Sequence, residues 1–224
     1  MTPKNLDALA ELLKSREGAG LFVSFEGGDG CGKSTQIGLL SEALKLRGVA
    51  VLVSREPGGT PLGQQLRHHI QHGPDDVDPR TEALLYAADR AYHVSTLLRP
   101  ALARGATILE DRYIDSSVAY QGAARDLGSQ EIRALSEWAT EGLTPDVTLL
   151  FDIDADEGLA RAGASGESLD RLERAGSKFH ARVRKEYLRI AAQYPQRFVT
   201  IDAAAPIEEV FEDVVDSLLE RLTP

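Results

Sequence analysis

A complete GxxxxGKS motif runs from Gly27 to Ser34 and constrains the fold more than any other part of this chain. It follows an apolar run, Leu21 to Phe25, that predicts a buried strand, and it leads into a helical pattern from Lys33 to about Leu46. Glycines let successive backbone N–H groups turn toward one anion, and the N-terminus of the next helix adds the positive end of its dipole. The motif therefore predicts a phosphate-binding loop between a strand and a helix.

The side chains of this loop indicate a nucleoside triphosphate as its ligand. Lys33, expected on a solvent-facing loop, would reach the β- and γ-phosphates, and Ser34 would ligate Mg²⁺. A GTP switch is disfavoured because it needs an Asn-Lys-x-Asp guanine reader, and the single asparagine, Asn5, precedes the nucleotide fold. We therefore expect ATP as phosphoryl donor and Mg²⁺ as cofactor, with an ATP site formed by Gly27, Gly28, Asp29, Gly30, Cys31, Gly32, Lys33, Ser34 and Thr35.

Four further apolar runs predict the rest of a sheet: Val49 to Val53, Ala106 to Leu109, Val147 to Phe151 and Phe198 to Ile201. Helix-length stretches separate them, so the strands are expected to be parallel and covered by helices on both faces. The predicted fold is a three-layer α/β/α P-loop domain with a five-stranded sheet. In such sheets ligands bind at the carboxyl ends of the strands.

The chain length of 224 residues suits one such domain. Leucines at helical spacing predict a short amphipathic helix in an N-terminal extension, residues 1–20, ahead of a kinase domain at 21–224. Residues 162–177 are rich in glycine, serine and charge and lie between two helical patterns, which indicates a small lid over the site.

Composition limits the partners. A net charge of −10 argues against a general basic field for nucleic acid or an anionic membrane, so local cations are expected to hold any phosphate. The single cysteine, Cys31, excludes an intramolecular disulfide and suits a reducing cytoplasm. No apolar run reaches the length of a membrane span. We expect a cytoplasmic protein that acts on small molecules.

Charged side chains follow the predicted strands. Asp111 comes at the end of the third strand, where a carboxylate can hold the water shell of Mg²⁺, and Arg112 beside it can bridge donor and acceptor phosphates. Tyr86 and Arg90 are four residues apart, so on a helix they share a face and can stack on and hydrogen-bond a base edge.

Taken together, these segments resemble the thymidylate kinases, P-loop enzymes that phosphorylate dTMP with ATP. The resemblance covers nearly the whole chain from Leu21 onward. The segments that carry it are Phe25-Glu26-Gly27, Arg55-Glu56-Pro57-Gly58-Gly59-Thr60, Tyr86-Ala87-Ala88-Asp89-Arg90, Asp111-Arg112-Tyr113 and Ser116-Ser117-Val118-Ala119-Tyr120-Gln121-Gly122. It implies a five-stranded parallel sheet, a homodimer and a lid that closes over ATP.

For the acceptor nucleoside, the resemblance implies that Asp29 approaches the deoxyribose 3′-hydroxyl and that Tyr120 closes the sugar site against a 2′-hydroxyl. Tyr86 would stack on thymine and Arg90 would hydrogen-bond it. Further residues would border the dTMP site, namely Pro57, Ser116, Ser117 and Gln121.

For the phosphates, the resemblance implies that Arg67 and Arg112 hold the acceptor phosphate. Glu56 and Asp111 would approach Mg²⁺ through water, beside Ser34. The attacking atom would be a phosphate oxygen of dTMP, already ionised near neutral pH because the second phosphate pKa is about 6. No general base is needed.

The lid departs from the family pattern. Members with glycine rather than arginine in the P-loop, as at Gly30, usually carry a catalytic arginine in the lid, but Gly163 and Ser165 stand where basic residues are expected. Arg161, Arg171 or Arg174 must then supply the charge, or turnover is slow, and Arg161 or Arg171 is expected to be catalytic.

Two alternatives stay open. The acceptor can be another molecule, such as a deoxynucleoside or dUMP. Alternatively, the altered lid can mark a regulatory protein that binds ATP and dTMP without turnover.

Overall fold

Five parallel strands form one sheet among the residues that the computed structural model describes, which are 3–16, 18–74, 76–164 and 175–223. The strand order is β2-β3-β1-β4-β5. All five apolar runs are confirmed as strands, with bounds Leu21–Gly27 (β1), Val51–Arg55 (β2), Thr107–Asp111 (β3), Val147–Asp152 (β4) and Phe198–Asp202 (β5).

Helices connect the strands. Two π-helical turns, Val94–Leu98 and Val118–Ala124, directly follow the α-helices that end at His93 and Ser117. The α-helices are Leu6–Ser15 (α1), Lys33–Leu46 (α2), Pro61–His72 (α3), Pro79–His93 (α4), Arg99–Ala103 (α5), Ile114–Ser117 (α6), Ser129–Ala139 (α7), Ala155–Gly163 (α8), Ser177–Gln193 (α9) and Ile207–Leu222 (α10).

The starts of three helices differ in how their backbone N–H groups are satisfied. Thr60 and Asp78 cap α3 and α4, each accepting hydrogen bonds from the first turn, and a proline follows each cap. By contrast, Gly32 precedes α2 with a positive φ of 89° and no side-chain cap. The first turn of α2 therefore keeps N–H groups available for an anion.

Register brings the functional strand ends together. Phe25 on β1 pairs with Asp111 on β3, and Gly27 pairs with Phe151 on β4. The P-loop and the acidic end of β3 thus open at the same edge of the sheet, as expected for a parallel α/β fold.

Two apolar clusters cover the two faces of the sheet, which confirms three layers. Val23 and Phe25 face a cluster formed with α1, α2 and α10, while Phe22 faces one that includes α4, α7 and α9. This alternation follows from the two-residue period of a strand.

Helix α1 packs on this domain. Leu6, Leu9 and Leu13 are buried in the cluster beneath α2 and α10, whereas Leu12 is only half-buried. The predicted extension therefore contributes to the main core.

The predicted lid falls mostly outside the described residues, which stop at 164 and resume at 175. Its two ends are helical, since α8 ends at Gly163 and α9 begins at Ser177. Within the described part of the chain, no helix has the length and apolar character needed to cross a membrane.

Candidate active site

The P-loop packs closely against α8 at Gly30. This residue has a φ of 70°, and a Cβ there would lie 2.0 Å from the carbonyl oxygen of Gly158. An arginine at this position would therefore require α8 to move. Any catalytic arginine for this site has to come from elsewhere in the chain.

Lys33 is buried, which corrects the expectation that it faces solvent. Its Nζ donates to the carbonyl oxygens of Gly28 at 2.8 Å and Gly27 at 3.3 Å, and lies 3.3 Å from Cys31 Sγ. These carbonyl dipoles stabilise the positive charge of the lysine. The ammonium group sits within the loop that the motif predicts to hold phosphate.

Ser34 and Asp111 lie together at the mouth of this loop. Ser34 Oγ donates to Asp111 Oδ2 at 3.0 Å, and Ser34 is exposed, as is its neighbour Thr35. A hydroxyl next to a carboxylate is the oxygen donor set that Mg²⁺ prefers. The two residues thus fit a hydrated magnesium ion.

Glu56 lies beside Asp111, since its backbone N–H donates to the Asp111 carbonyl oxygen at 3.0 Å. Its two carboxylate oxygens lie 2.7 Å from Arg90 Nε and 3.1 Å from His93 Nδ1, and the side chain is buried. Arg90 and His93 thus hold the Glu56 carboxylate here, and its expected approach to Mg²⁺ through water stays a prediction.

Arg90 lies inside a buried network. Besides Glu56, it donates to Ser117 Oγ at 3.0 Å, Ser136 Oγ at 3.0 Å and the carbonyl oxygen of Tyr113 at 3.2 Å. Burial lowers the pKa of Arg90, but Glu56 outweighs it, so the net pKa lies above the ordinary value. The sequence predicts that Arg90 hydrogen-bonds the base, but here its guanidinium is already hydrogen-bonded to groups of the protein.

This burial makes a stability prediction. Arg90→Ala leaves the Glu56 carboxylate buried without its partner and is expected to cost about 3–5 kcal/mol of unfolding free energy. The double variant Glu56→Gln with Arg90→Met should lose less, because no charge is stranded. Urea unfolding at neutral pH measures both.

The same variant tests the base contact. In the fraction that stays folded, Arg90→Ala should raise the KM for dTMP more than the KM for ATP. Equal effects on the two KM values would remove Arg90 from the base site.

Arg112 lies between the P-loop and the predicted sugar site. Its guanidinium donates to the carbonyl oxygen of Gly27 at 3.0 Å and to Asp29 Oδ1 at 2.5 Å, and it lies 5.0 Å from the centre of the Tyr120 ring. The Tyr120 hydroxyl donates to Asp29 Oδ2 at 2.9 Å. Three predicted site residues thus form one cluster.

The charge of Asp29 follows from these contacts. Burial works to raise its pKa, but Arg112 and Lys33 outweigh it, so the pKa of Asp29 lies below its ordinary value. Asp29 is therefore an ionised hydrogen-bond acceptor at neutral pH, suited to a hydroxyl donor.

Three other predicted dTMP residues make hydrogen bonds within the protein. Ser116 Oγ donates to Glu26 Oε2 at 2.6 Å, Ser117 accepts from Arg90, and Gln121 Nε2 donates to Glu82 Oε1 at 2.9 Å. They line the region between α4 and the continuation of α6. Their side chains are less available to a base than the sequence predicts.

Arg67 and Tyr86 lie at the edges of this region. Arg67 is half-buried and donates to the carbonyl oxygen of Pro57 at 3.1 Å, which places it at the end of β2. Tyr86 is half-buried on α4, one turn before Arg90.

Arg161 does not reach the P-loop. Its guanidinium donates to the carbonyl oxygen of Ala203 at 2.8 Å and to Glu157 at 2.7 Å. The structure therefore ties this candidate to the loop after β5. Arg171, the other candidate, lies outside the described residues.

Sequence reasoning gave no role to several buried polar residues of this site. Glu26 lies on β1 and Glu110 on β3, and both are fully buried. Among the described residues, neither oxygen of Glu110 has a hydrogen-bond partner, and burial raises its pKa well above the ordinary value. An acidic residue inside an apolar strand pattern is the signal that could have drawn attention to both.

A small cleft opens beside the P-loop, between the end of β4 and the helices α8 and α9. Asp29, His180 and Tyr187 line it. His180 Nδ1 lies 3.7 Å from Asp29 Oδ2 and the residue is buried, although the sequence analysis did not single it out.

Three features together define a P-loop phosphotransferase. They are an uncapped P-loop helix, a hydroxyl and carboxylate pair that fits magnesium, and an arginine between two anion sites. A family model described as thymidylate kinase matches residues 25–214 of the chain. The chain therefore belongs to the thymidylate kinase family.

Individual relatives agree. The thymidylate kinase of Leifsonia xyli subsp. xyli is 55% identical over 195 residues, which cover 87% of this chain and 92% of the relative. That of an Exiguobacterium strain is 48% identical over 206 residues, covering 91% and 96%. A crystal structure of thymidylate kinase from Ehrlichia chaffeensis superposes with a TM-score of 0.72 at 31% identity, covering 89% of this chain and 99% of that one.

Proposed function

We propose that this protein transfers the γ-phosphoryl group of ATP to the 5′-phosphate of dTMP, giving dTDP and ADP for dTTP biosynthesis. Family membership supports the reaction. The observation that carries it in the structure is Arg112, whose guanidinium contacts both the P-loop carbonyl of Gly27 and Asp29. A cation placed there can touch donor and acceptor at once.

The main barrier is repulsion between two anions. Two unit charges 4 Å apart repel by about 4 kcal/mol at an effective dielectric constant of about 20, and each substrate carries several charges. Lys33 and Arg112, which both donate to the carbonyl oxygen of Gly27, would offset this repulsion. Catalysis then consists of positioning and charge stabilisation, with an acceptor oxygen that is already ionised.

Ser34 and Asp111 would hold Mg²⁺, directly or through water. When bound, the ion would neutralise charge that develops on the phosphates. We assign Glu56 to the support of Arg90 instead, on the basis of their 2.7 Å contact.

Selection of the nucleoside would rest on two clusters. Asp29 would accept the 3′-hydroxyl, while Tyr120, held by Asp29, would leave no room for a 2′-hydroxyl. Tyr86 and Arg90 would face the thymine from α4, and Arg67 would bind the acceptor phosphate near Pro57. Substrate would have to draw Arg90 and Arg112 from some of their present partners.

For the lid, we favour Arg171 as the catalytic arginine, because the guanidinium of Arg161 is bound to Glu157 and Ala203. We also propose a homodimer in the cytoplasm. Exposed apolar side chains on adjacent helices, Leu62 on α3 with Leu84 and Tyr92 on α4, support a self-association surface.

A panel of acceptors tests the proposed function. The protein with ATP and Mg²⁺ should show its highest kcat/KM with dTMP, a lower value with dUMP, and little activity with dCMP or thymidine. Highest activity with thymidine would indicate a nucleoside kinase. Binding of ATP and dTMP by calorimetry without turnover would indicate the regulatory alternative.

A further inference from the structure

Glu26 contacts two of the hydroxyls that flank Arg112, those of Ser116 and Tyr187. It lies fully buried at the end of β1, directly before the P-loop. Ser116 Oγ lies 2.6 Å from Glu26 Oε2, and the Tyr187 hydroxyl lies 3.1 Å from the same oxygen. The other oxygen, Oε1, accepts from the backbone N–H of Tyr113 at 2.8 Å.

The same two hydroxyls face Arg112. Its NH1 atom lies 3.3 Å from Ser116 Oγ and 3.4 Å from the Tyr187 hydroxyl. The hydroxyls are themselves 2.7 Å apart. Glu26 thus reaches Arg112 through two intermediates and makes no direct hydrogen bond to it among the described contacts.

An ionised carboxylate can only accept hydrogen bonds, and this sets the direction of the network. The hydrogens of Ser116 and Tyr187 point toward Glu26 or toward each other. Their lone pairs are left for the N–H donors of Arg112. A neutral side chain at position 26 would offer its own hydrogen to one hydroxyl and turn that hydroxyl's hydrogen toward Arg112.

The backbone contact serves the same arginine. Arg112 has a positive φ of 69°, which is unfavourable for a residue with a side chain. The bond from Tyr113 N–H to Glu26 fixes the residue that follows this strained position. Glu26 therefore restrains both the backbone and the side chain of Arg112.

We propose that Glu26 is a positioning residue for phosphoryl transfer, whose carboxylate holds Arg112 beside the P-loop through Ser116, Tyr187 and the Tyr113 amide. The proposal rests on the proposed function, since it assigns Arg112 to the reacting phosphates. It gives a role to a residue that touches neither substrate.

The charge state of Glu26 responds to several neighbours. Burial and the charge of Asp115 raise the pKa of Glu26 to about 7. Asp115 itself is paired with two arginines of the surrounding structure, Arg133 and Arg197. The other charged or titratable groups that face Glu26 are Arg112 and Tyr113 after β3, Glu110 on β3 and Tyr187 on α9.

The test compares Glu26→Gln with a matched control, Asp146→Asn. Asp146 accepts the backbone N–H of Phe22 at 2.8 Å, at the opposite end of the same strand. For Glu26→Gln we expect kcat for dTMP to fall by about 10²-fold, the cost of a misplaced catalytic group, with little change in the KM for ATP. Asp146→Asn should keep the wild-type kcat.

The pH profile separates positioning from simple structural damage. Wild-type kcat should fall as the pH drops from 8 to 6, because protonation of Glu26 turns one of its acceptor oxygens into a hydrogen-bond donor. Glu26→Gln should lack this part of the pH profile. Titration of the substrate phosphates is common to both proteins and cancels in the comparison.

Melting temperatures decide how the result is read. If Glu26→Gln fails to fold, Tyr187→Phe takes its place, because it deletes one of the two intermediate hydroxyls and keeps the ring. A fall in kcat without a fall in melting temperature supports the proposal. A folded Glu26→Gln with the kcat and pH profile of Asp146→Asn overturns it, as does unchanged kcat in Tyr187→Phe. Failure of the wild type to phosphorylate dTMP would instead overturn the proposed function.

Discussion

Lys33→Ala is expected to lower kcat for transfer to dTMP by about 10³-fold, the upper range for loss of one preorganised charge donor. The ammonium group is held among the carbonyls of Gly27 and Gly28, so it is in place before substrate arrives. Its positive charge should stabilise most strongly the transition state, in which the γ-phosphoryl group passes from donor to acceptor. A coupled assay for ADP measures the loss.

The fold should survive this change, because α2 remains packed through Ile37, Leu40 and Leu44. Lys45→Ala is the matched control, since Lys45 is an exposed lysine on the same helix. It should keep the wild-type kcat and melting temperature. Near-normal turnover in folded Lys33→Ala would remove the lysine from the mechanism.

Arg112→Ala is expected to have a comparable or larger effect, about 10³-fold or more in kcat, as for other arginines that act on a transferring phosphoryl group. The loss also frees Asp29 and Tyr120 from the guanidinium that contacts both. The KM for dTMP should therefore rise as well. The KM for ATP should change least.

Arg112→Lys separates charge from geometry. A lysine restores the positive charge but cannot bridge several oxygens with a planar fork, so it should recover only part of the lost rate. Arg182→Ala serves as a control, because Arg182 lies on α9 and forms an exposed ion pair with Asp126. Full activity of Arg112→Lys would show that a point charge suffices.

Local patterns predicted most of the framework. The five apolar runs, the strand and helix around the P-loop and the amphipathic spacing of α1 each depend on near neighbours in sequence. Parallel strands then bring Ser34 and Asp111 to one edge, although they are far apart in the chain. Those features follow from periodicity and from the geometry of a parallel sheet.

Side-chain partnerships were harder to predict. Glu56 was expected near the metal, but Arg90 and His93 reach it across the space between β2 and α4. Its position in the motif does not specify which way its carboxylate turns. Its turn toward Arg90 depends on burial, because a nearby cation stabilises an ionised carboxylate that is removed from water.

The acidic residues of the strands gave the weakest indication of their role in the sequence. Glu26 and Glu110 each directly follow an apolar run and resemble the polar end of a strand. Their meaning depends on what the neighbouring helices place against them, namely Ser116 and Tyr187 for Glu26. That information lies in long-range packing, which a single sequence does not contain.

Phosphorus NMR of one reaction mixture tests the central claim most directly. With the protein, Mg²⁺, ATP and dTMP, the account predicts that the dTMP signal is replaced by the two signals of dTDP as ADP forms in equal amount. Omitting dTMP should leave ATP intact. Consumption of ATP to ADP and free phosphate with dTMP unchanged would contradict the account.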